Sequence, residues 1–148
     1  MRALRGIGLL SLLALLPAAA RAQEKQVIQP AGALGLPFSS AVRVGSMLYL
    51  SGQVGIQPGT RAVVPGGIGP ETRQALENIK QVLAAAGSSM DRVVKCTVFL
   101  KDIADYAAMN QVYATFFPQD PPARSAVAGS GLALGARVEI ECIALAGA

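Results

Sequence analysis

The run Arg137-Val138-Glu139-Ile140-Glu141, continued as far as Leu145, alternates residue by residue between two kinds of side chain. Only an extended strand has a side-chain period of two, so Ala136 to Leu145 is expected as a β-strand with two unlike faces. Val138, Ile140, Cys142 and Ala144 make one face apolar. Arg137, Glu139, Glu141, Ile143 and Leu145 make the other face a mixture. A solvated face would be more evenly polar, and a core face would not carry two glutamates. The mixture fits a surface that meets another copy of the chain and holds a polar site there.

The rest of the chain supplies cover for one sheet face only. Pro70 to Ala86 is the clearest helix. Ala75, Leu76, Ile79, Val82, Leu83 and Ala86 recur at helical spacing. Pro70 suits the first helical position, Glu71 the first turn, and Gly87 the stop. Asp91 to Lys101 reads as a strand, with Val94, Cys96, Val98 and Leu100 on one face and Lys95, Thr97 and Phe99 on the other. Asp102 is expected to cap a second helix, with Asp105 completing a capping box. That helix runs to about Phe117, where Pro118 stops it. Tyr106, Met109, Tyr113, Phe116 and Phe117 lie on its apolar side. Ala41 to Gln53 reads as a hairpin turning at Gly45-Ser46, Gln57 to Gly69 as a loop, Arg124 to Ala128 as a short strand, and Leu132 to Gly135 as a turn. The order β-β-α-β-α-β-β implies an α+β fold with both helices on one face of the sheet.

Residues 1–22 have the marks of a secretory signal peptide. Arg2 and Arg5 precede an apolar run from Gly6 to Leu16, and small residues around Ala20 and Ala22 follow. Cleavage before Gln23 leaves one domain, 23–148, exported to the periplasm or secreted, with no stable membrane anchor. It also removes Arg2, Arg5 and Arg21, which takes thirteen Lys/Arg down to ten against nine Asp/Glu. No basic block remains, so a nucleic-acid partner has no electrostatic support.

The chain has no histidine and two cysteines, Cys96 and Cys142. Without His, and without a C-x-x-C pair, a zinc site is not expected. Both cysteines fall in strand-like runs and are expected as buried free thiols. An exported compartment would oxidise them only if neighbouring strands bring them together.

Few residues remain for chemistry. Arg124 follows a stiff Pro121-Pro122 pair, and a guanidinium holds a carboxylate bidentately. Its alternative is a surface salt bridge to Asp120. Glu139 and Glu141 share a strand face, as a general base with an orienting partner or as interface charges. Asn110 is a poor helix former inside a helix, which suits a contact to a ligand or loop as well as plain exposure. Gly52, within Ser51-Gly52-Gln53, allows close backbone approach.

Taken together, Ser51-Gly52-Gln53, Val64-Pro65-Gly66-Gly67, Thr72 to Asn78 (TRQALEN), Val93 to Asp102 (VVKCTVFLKD), Met109-Asn110 with Tyr113, Pro122-Ala123-Arg124-Ser125 and Val138-Glu139-Ile140-Glu141 resemble the reactive intermediate deaminase family, RidA or YjgF, over nearly all of residues 23–148. The resemblance implies a chorismate-mutase-like fold and a homotrimer with a ligand cleft at each subunit interface. It implies hydrolysis of 2-imino acids or their enamines to 2-keto acids and ammonia, with no metal or cofactor. Arg124 would grip the substrate carboxylate and Glu139 would position or activate water. Ser51, Gly52 and Asn110 would line the cleft, along with Phe38, where a tyrosine is common, and Ala126, where many members carry cysteine. Ala133 stands where a proline is frequent. The alternatives are a non-catalytic trimer that binds small carboxylates through Arg124, and a chaperone-like trimer that uses exposed apolar surface.

Overall fold

A computed structural model describes residues 24–30 and 35–147. The signal segment assigned to residues 1–22 lies outside them. The strands are β1 (Lys25–Ile28), β2 (Ala41–Val44), β3 (Met47–Leu50), β4 (Gln53–Val54), β5 (Val93–Leu100), β6 (Ala123–Ala128) and β7 (Val138–Leu145); the helices are α1 (Ile68–Ala85) and α2 (Tyr106–Phe116). One mixed sheet has the order β1-β2-β3-β7-β5-β6, with β4 also paired to β7. Only β5 and β6 run parallel, and α2 is the crossover that a parallel pair requires. The other strand pairs are antiparallel.

The hairpin β2–β3 turns at Gly45, whose φ of 58° lies in the left-handed region that glycine enters without cost. Two strands add to the sequence reading. β1 pairs with β2, and β4 continues the β3 segment alongside β7. They are four and two residues long, too short to show a period of two.

Helix α1 starts at Ile68, so Pro70 stands in its first turn rather than at its first position. Its predicted stripe is correct: Ala75, Leu76, Ile79, Val82 and Leu83 are all buried. The helix ends as expected at Gly87, with the Ser88 N–H bonded back to the Leu83 carbonyl at 2.8 Å. α1 and α2 pack against each other on one face of the sheet. Their core partners are Leu48 and Leu50, Val98 and Leu100, and Val138, Ile140, Cys142 and Ala144. The two faces expected for β7 are the two observed.

Three expectations need correction. Val94 was assigned to the core face of β5 but is 40 % exposed. A register shift between Val93 and Lys95 in the β5–β7 pairing inserts an extra residue, so Val93 turns inward in its place. The two cysteines are not free thiols. Cys96 and Cys142 stand directly opposite one another on β5 and β7, with Cα atoms 4.1 Å apart, and form a disulfide. Asp105 does not complete a capping box. Asp102 caps a 3-10 turn, accepting from the Ala104 N–H at 2.9 Å. The Asp105 carboxylate instead forms a two-point pair with Arg137, at 2.9 Å to both Nε and Nη2.

The buried carboxylate of Glu71 ties α1 to the start of β7. Its Oε2 accepts the Arg137 backbone N–H at 2.7 Å. Among the described residues, no helix is long and apolar enough to cross a membrane.

Candidate functional site

The sheet separates the residues singled out above into two groups. On β7, Val138 and Ile140 point into the helix-covered core, so Glu139 between them points to the open face. β4 brings Val54 opposite Glu139, and this sets Gly52 against the Glu139 side chain. A Cβ on Gly52 would collide with the carboxylate and lie 2.8 Å from its Cδ. Glycine is therefore the residue that leaves Glu139 its place. Burial holds the Glu139 carboxyl above the usual carboxylate range, and the charge of Glu141 adds to that effect.

Ser51 closes this group toward the N-terminal segment. Its hydroxyl donates to the Ser39 carbonyl at 2.7 Å, and its N–H donates to the Ser40 carbonyl at 3.0 Å. Phe38, next to Ser39, is 53 % exposed. A hydroxyl used in this way can still accept a hydrogen bond from a ligand.

The second group sits at the far edge of the sheet. β6 runs parallel to β5 with Arg124 paired to Cys96, so Arg124 and, two residues on, Ala126 share the helix-covered face. Ala126 packs against the core. The Arg124 guanidinium lies 4.6 Å from the Tyr113 ring centroid and 5.6 Å from that of Tyr106, and its Nη2 donates to the Tyr106 hydroxyl at 3.1 Å. It does not pair with Asp120 or, among the described residues, with any other carboxylate. Aromatic faces and a neutral oxygen stabilise the cation without cancelling its charge.

Tyr106, Asn110 and Tyr113 are spaced i, i+4, i+7 on α2, which aligns them on one helix face. Tyr106 was expected on the apolar side but is 40 % exposed, with Arg124 against it. The Asn110 amide and the Arg124 guanidinium hold its phenol below the usual range. Burial pushes the Tyr113 phenol up to about 12, against the opposing pull of Arg124. Asn110 Oδ1 and the Tyr113 hydroxyl are both buried without a hydrogen-bond partner. Unpaired buried polar atoms are costly, and both of these belong to the helix that Arg124 packs against.

The two groups do not meet within one chain. Arg124 and Asn110 lie on the helix side of the sheet edge, whereas Glu139, Gly52 and Ser51 belong to the open face two strands away. A separate hollow of about 190 Å³ on the open face is lined by Tyr49, Lys95, Thr97, Glu141 and Ile143, and neither Arg124 nor Glu139 borders it.

A family model described as endoribonuclease L-PSP matches residues 19–146. The chain belongs to this RidA/YjgF/L-PSP family. A RutC family protein of Pyrococcus horikoshii, PH0854, is 49 % identical over 108 residues, covering 73 % of this chain and 86 % of that one. The mouse protein named 2-iminobutanoate/2-iminopropanoate deaminase is 46 % identical over 111 residues, covering 75 % of this chain and 82 % of its own length. Among solved structures, a Rid family protein of Yersinia pestis, YyfA, superposes with a TM-score of 0.78 at 42 % identity, covering 82 % of this chain and 99 % of that one. Escherichia coli TdcF with bound serine does so with 0.73 at 37 % identity, covering 81 % and 98 %. The α+β fold, with a mixed sheet and two helices, is thus that of the RidA family.

The sequence reading gave Arg124, Glu139, Ser51, Gly52, Asn110, Phe38 and Ala126 as site residues and did not single out Tyr106, whose hydroxyl accepts from Arg124. Its signal was a tyrosine four residues before Asn110 and seven before Tyr113, a spacing that was read as packing alone.

Proposed function

We propose that this RidA-family chain hydrolyses 2-imino acids, or their enamine tautomers, to 2-keto acids and ammonia in a cleft between copies of itself. The observation that carries this reading is the division of the site. An unpaired arginine and a carboxylate with a raised pKa lie on different sheet faces, so a second copy is needed to bring them onto one ligand. A homotrimer whose subunits meet head to tail would form such a cleft at every interface. The mouse deaminase, at 46 % identity, supports the activity. The mixed character of the open face supports the assembly.

The chemistry suits these groups. Arg124 binds the substrate carboxylate and fixes its orientation. A protonated imine carbon is already electrophilic, so attack needs only a placed water. Water adds to that carbon and forms the C–O bond while Glu139 accepts its proton. Glu139 then returns the proton to nitrogen; as the C–N bond breaks and ammonia leaves, the Glu139 carboxylate takes the remaining hydroxyl proton, and the C=O bond of the keto acid forms. A carboxyl whose pKa is raised by burial is better matched to these transfers, and such acid–base help is worth roughly 10² to 10⁴ in rate. An endoribonuclease reading finds less support: the chain lacks histidine, and Glu139 and Glu141 on the open face would repel a phosphodiester.

We also propose an exported location. The leader at residues 1–22 carries that expectation, and the Cys96–Cys142 disulfide supports it, because such bonds persist in oxidising compartments.

A second reading is favoured by the serine bound to TdcF: a non-catalytic trimer that holds small amino or keto acids. One experiment separates the two. Arg124→Ala and Glu139→Gln are each expected to be inactive in imine hydrolysis. Co-expressed and assembled at random, they should recover about a quarter of wild-type activity, because some clefts then draw an intact Arg124 from one chain and an intact Glu139 from another. A mixture as inactive as its parents, or a monomer by light scattering, would sink the shared cleft. Keto-acid binding without turnover would leave the second reading.

A further inference from the structure

We propose that Tyr106 is a positioning residue: its hydroxyl and ring, with the Tyr113 ring, hold the Arg124 guanidinium in the plane from which it grips a ligand carboxylate. This rests on the carboxylate-binding role of Arg124 proposed above. Arginine has a long side chain with several free torsions, and β6 is an edge strand, so nothing in the strand itself fixes the guanidinium. In most proteins a carboxylate would do so. Here that would neutralise the charge and occupy the fork that the ligand needs.

The observed arrangement avoids this. The Tyr113 ring lies beneath the guanidinium, at 4.6 Å to its centroid. Stacking fixes the tilt of the plane but leaves rotation within it free. The Tyr106 hydroxyl removes that freedom by accepting one N–H, from Nη2, at 3.1 Å. Four of the five guanidinium N–H donors are left, enough for a two-point grip. Preorganisation of this kind reduces the entropy lost on binding without adding a contact to the ligand.

The hydroxyl is also the weak point of the device. Arg124 is the charged group acting on Tyr106, since Asp105, the preceding residue, is taken up by Arg137, and the burial of Tyr113 keeps its phenol neutral. Once ionised, the Tyr106 phenolate would pair with the guanidinium and compete with the ligand carboxylate. Affinity should therefore fall on the alkaline side, below the pH at which an ordinary tyrosine titrates.

The test is calorimetric titration of 2-oxobutanoate into wild type, Tyr106→Phe and Arg124→Ala, from neutral to alkaline pH, with KM and kcat for imine hydrolysis measured alongside. Tyr106→Phe keeps the ring and removes the hydroxyl. It is expected to weaken binding about tenfold at neutral pH, raise KM to match, leave kcat within about twofold, and lose the alkaline fall seen in wild type. A merely structural role would lower kcat and thermal stability together and leave the alkaline limb in place. If Tyr106→Phe binds as wild type does while Arg124→Ala does not, the positioning role is overturned and the Arg124 reading stands. If wild type shows no alkaline fall, the positioning role is also overturned, without recourse to a variant. If Arg124→Ala binds as well as wild type, or wild type fails to bind, both fall.

Discussion

Gly52 lies so close to Glu139 that a single added carbon on Gly52 would occupy the space of the Glu139 carboxylate. The contact joins the end of the β3–β4 segment to the centre of the sheet. It makes a backbone position answerable for the location of an acid. Gly52→Ala should therefore move or rotate Glu139 rather than simply crowd the fold. The expected result is loss of imine hydrolysis by about tenfold or more, with about 1–3 kcal/mol of stability lost in denaturant unfolding. Wild-type turnover in Gly52→Ala would show that the placement of Glu139 does not matter.

Burial raises the pKa of Glu139, and the sign of the resulting pH effect is fixed. The folded state binds the Glu139 proton more tightly than the unfolded state does. Stability is therefore lost as pH rises from the ordinary carboxylate range through the raised folded value, and the cost is complete once pH has passed that value. Glu139→Gln removes that cost. The variant should melt above wild type once pH has passed the raised Glu139 value, and the gap should close as pH falls below the carboxylate range. An equal gap at both ends would point to packing, not ionisation.

The Cys96–Cys142 bond closes a loop with a sequence separation of 46 residues. On the chain-entropy account, a loop of this size is worth about 4 kcal/mol to the folded state. Mass spectrometry of the protein purified without reductant should find the bond formed. Cys96→Ala combined with Cys142→Ala should lower stability by about that amount, less whatever structure persists in the unfolded chain. Equal stability with and without reductant would count against a structural role.

Glu71 offers a test of the frame rather than the site. Its carboxylate accepts the Arg137 backbone N–H, and Glu71 itself is buried. Glu71→Gln keeps an acceptor and should cost little. Glu71→Ala leaves the N–H unpaired and should cost about 1–3 kcal/mol. Comparable costs for the two variants would mean that the hydrogen bond is not what matters there.

Much of this was legible in the sequence, and the reasons differ by element. β7 and α1 were read correctly because long periodic runs reveal which side is buried. β2 and β3, four residues each, were found from the Gly45-Ser46 turn between them, whereas β1 and β4 are short runs with no such turn to mark them. Val94 was misplaced because a bulge changes the face of a residue without changing the alternation around it. The cysteines were misread for a similar reason: disulfide formation depends on register between strands, which sequence spacing does not encode. Glu139 and Arg124 stood out as charges in strand segments, but their separation onto opposite faces needed the parallel pairing of β5 with β6. Tyr106 looked like a packing residue because a hydroxyl adds nothing to an apolar stripe. Its role became visible only once β6 set Arg124 beside it.

The Cys96–Cys142 bond has a further consequence when the chain meets a protease. Asn110, Arg124 and Glu139 all fall between the two cysteines. So does the segment from Pro118 to Pro122 that links α2 to β6. A single cut there would sever the backbone yet leave one covalent molecule, with both halves of the candidate site still tethered to the same sheet. Such a nicked chain would run as one band without reductant and as two with it.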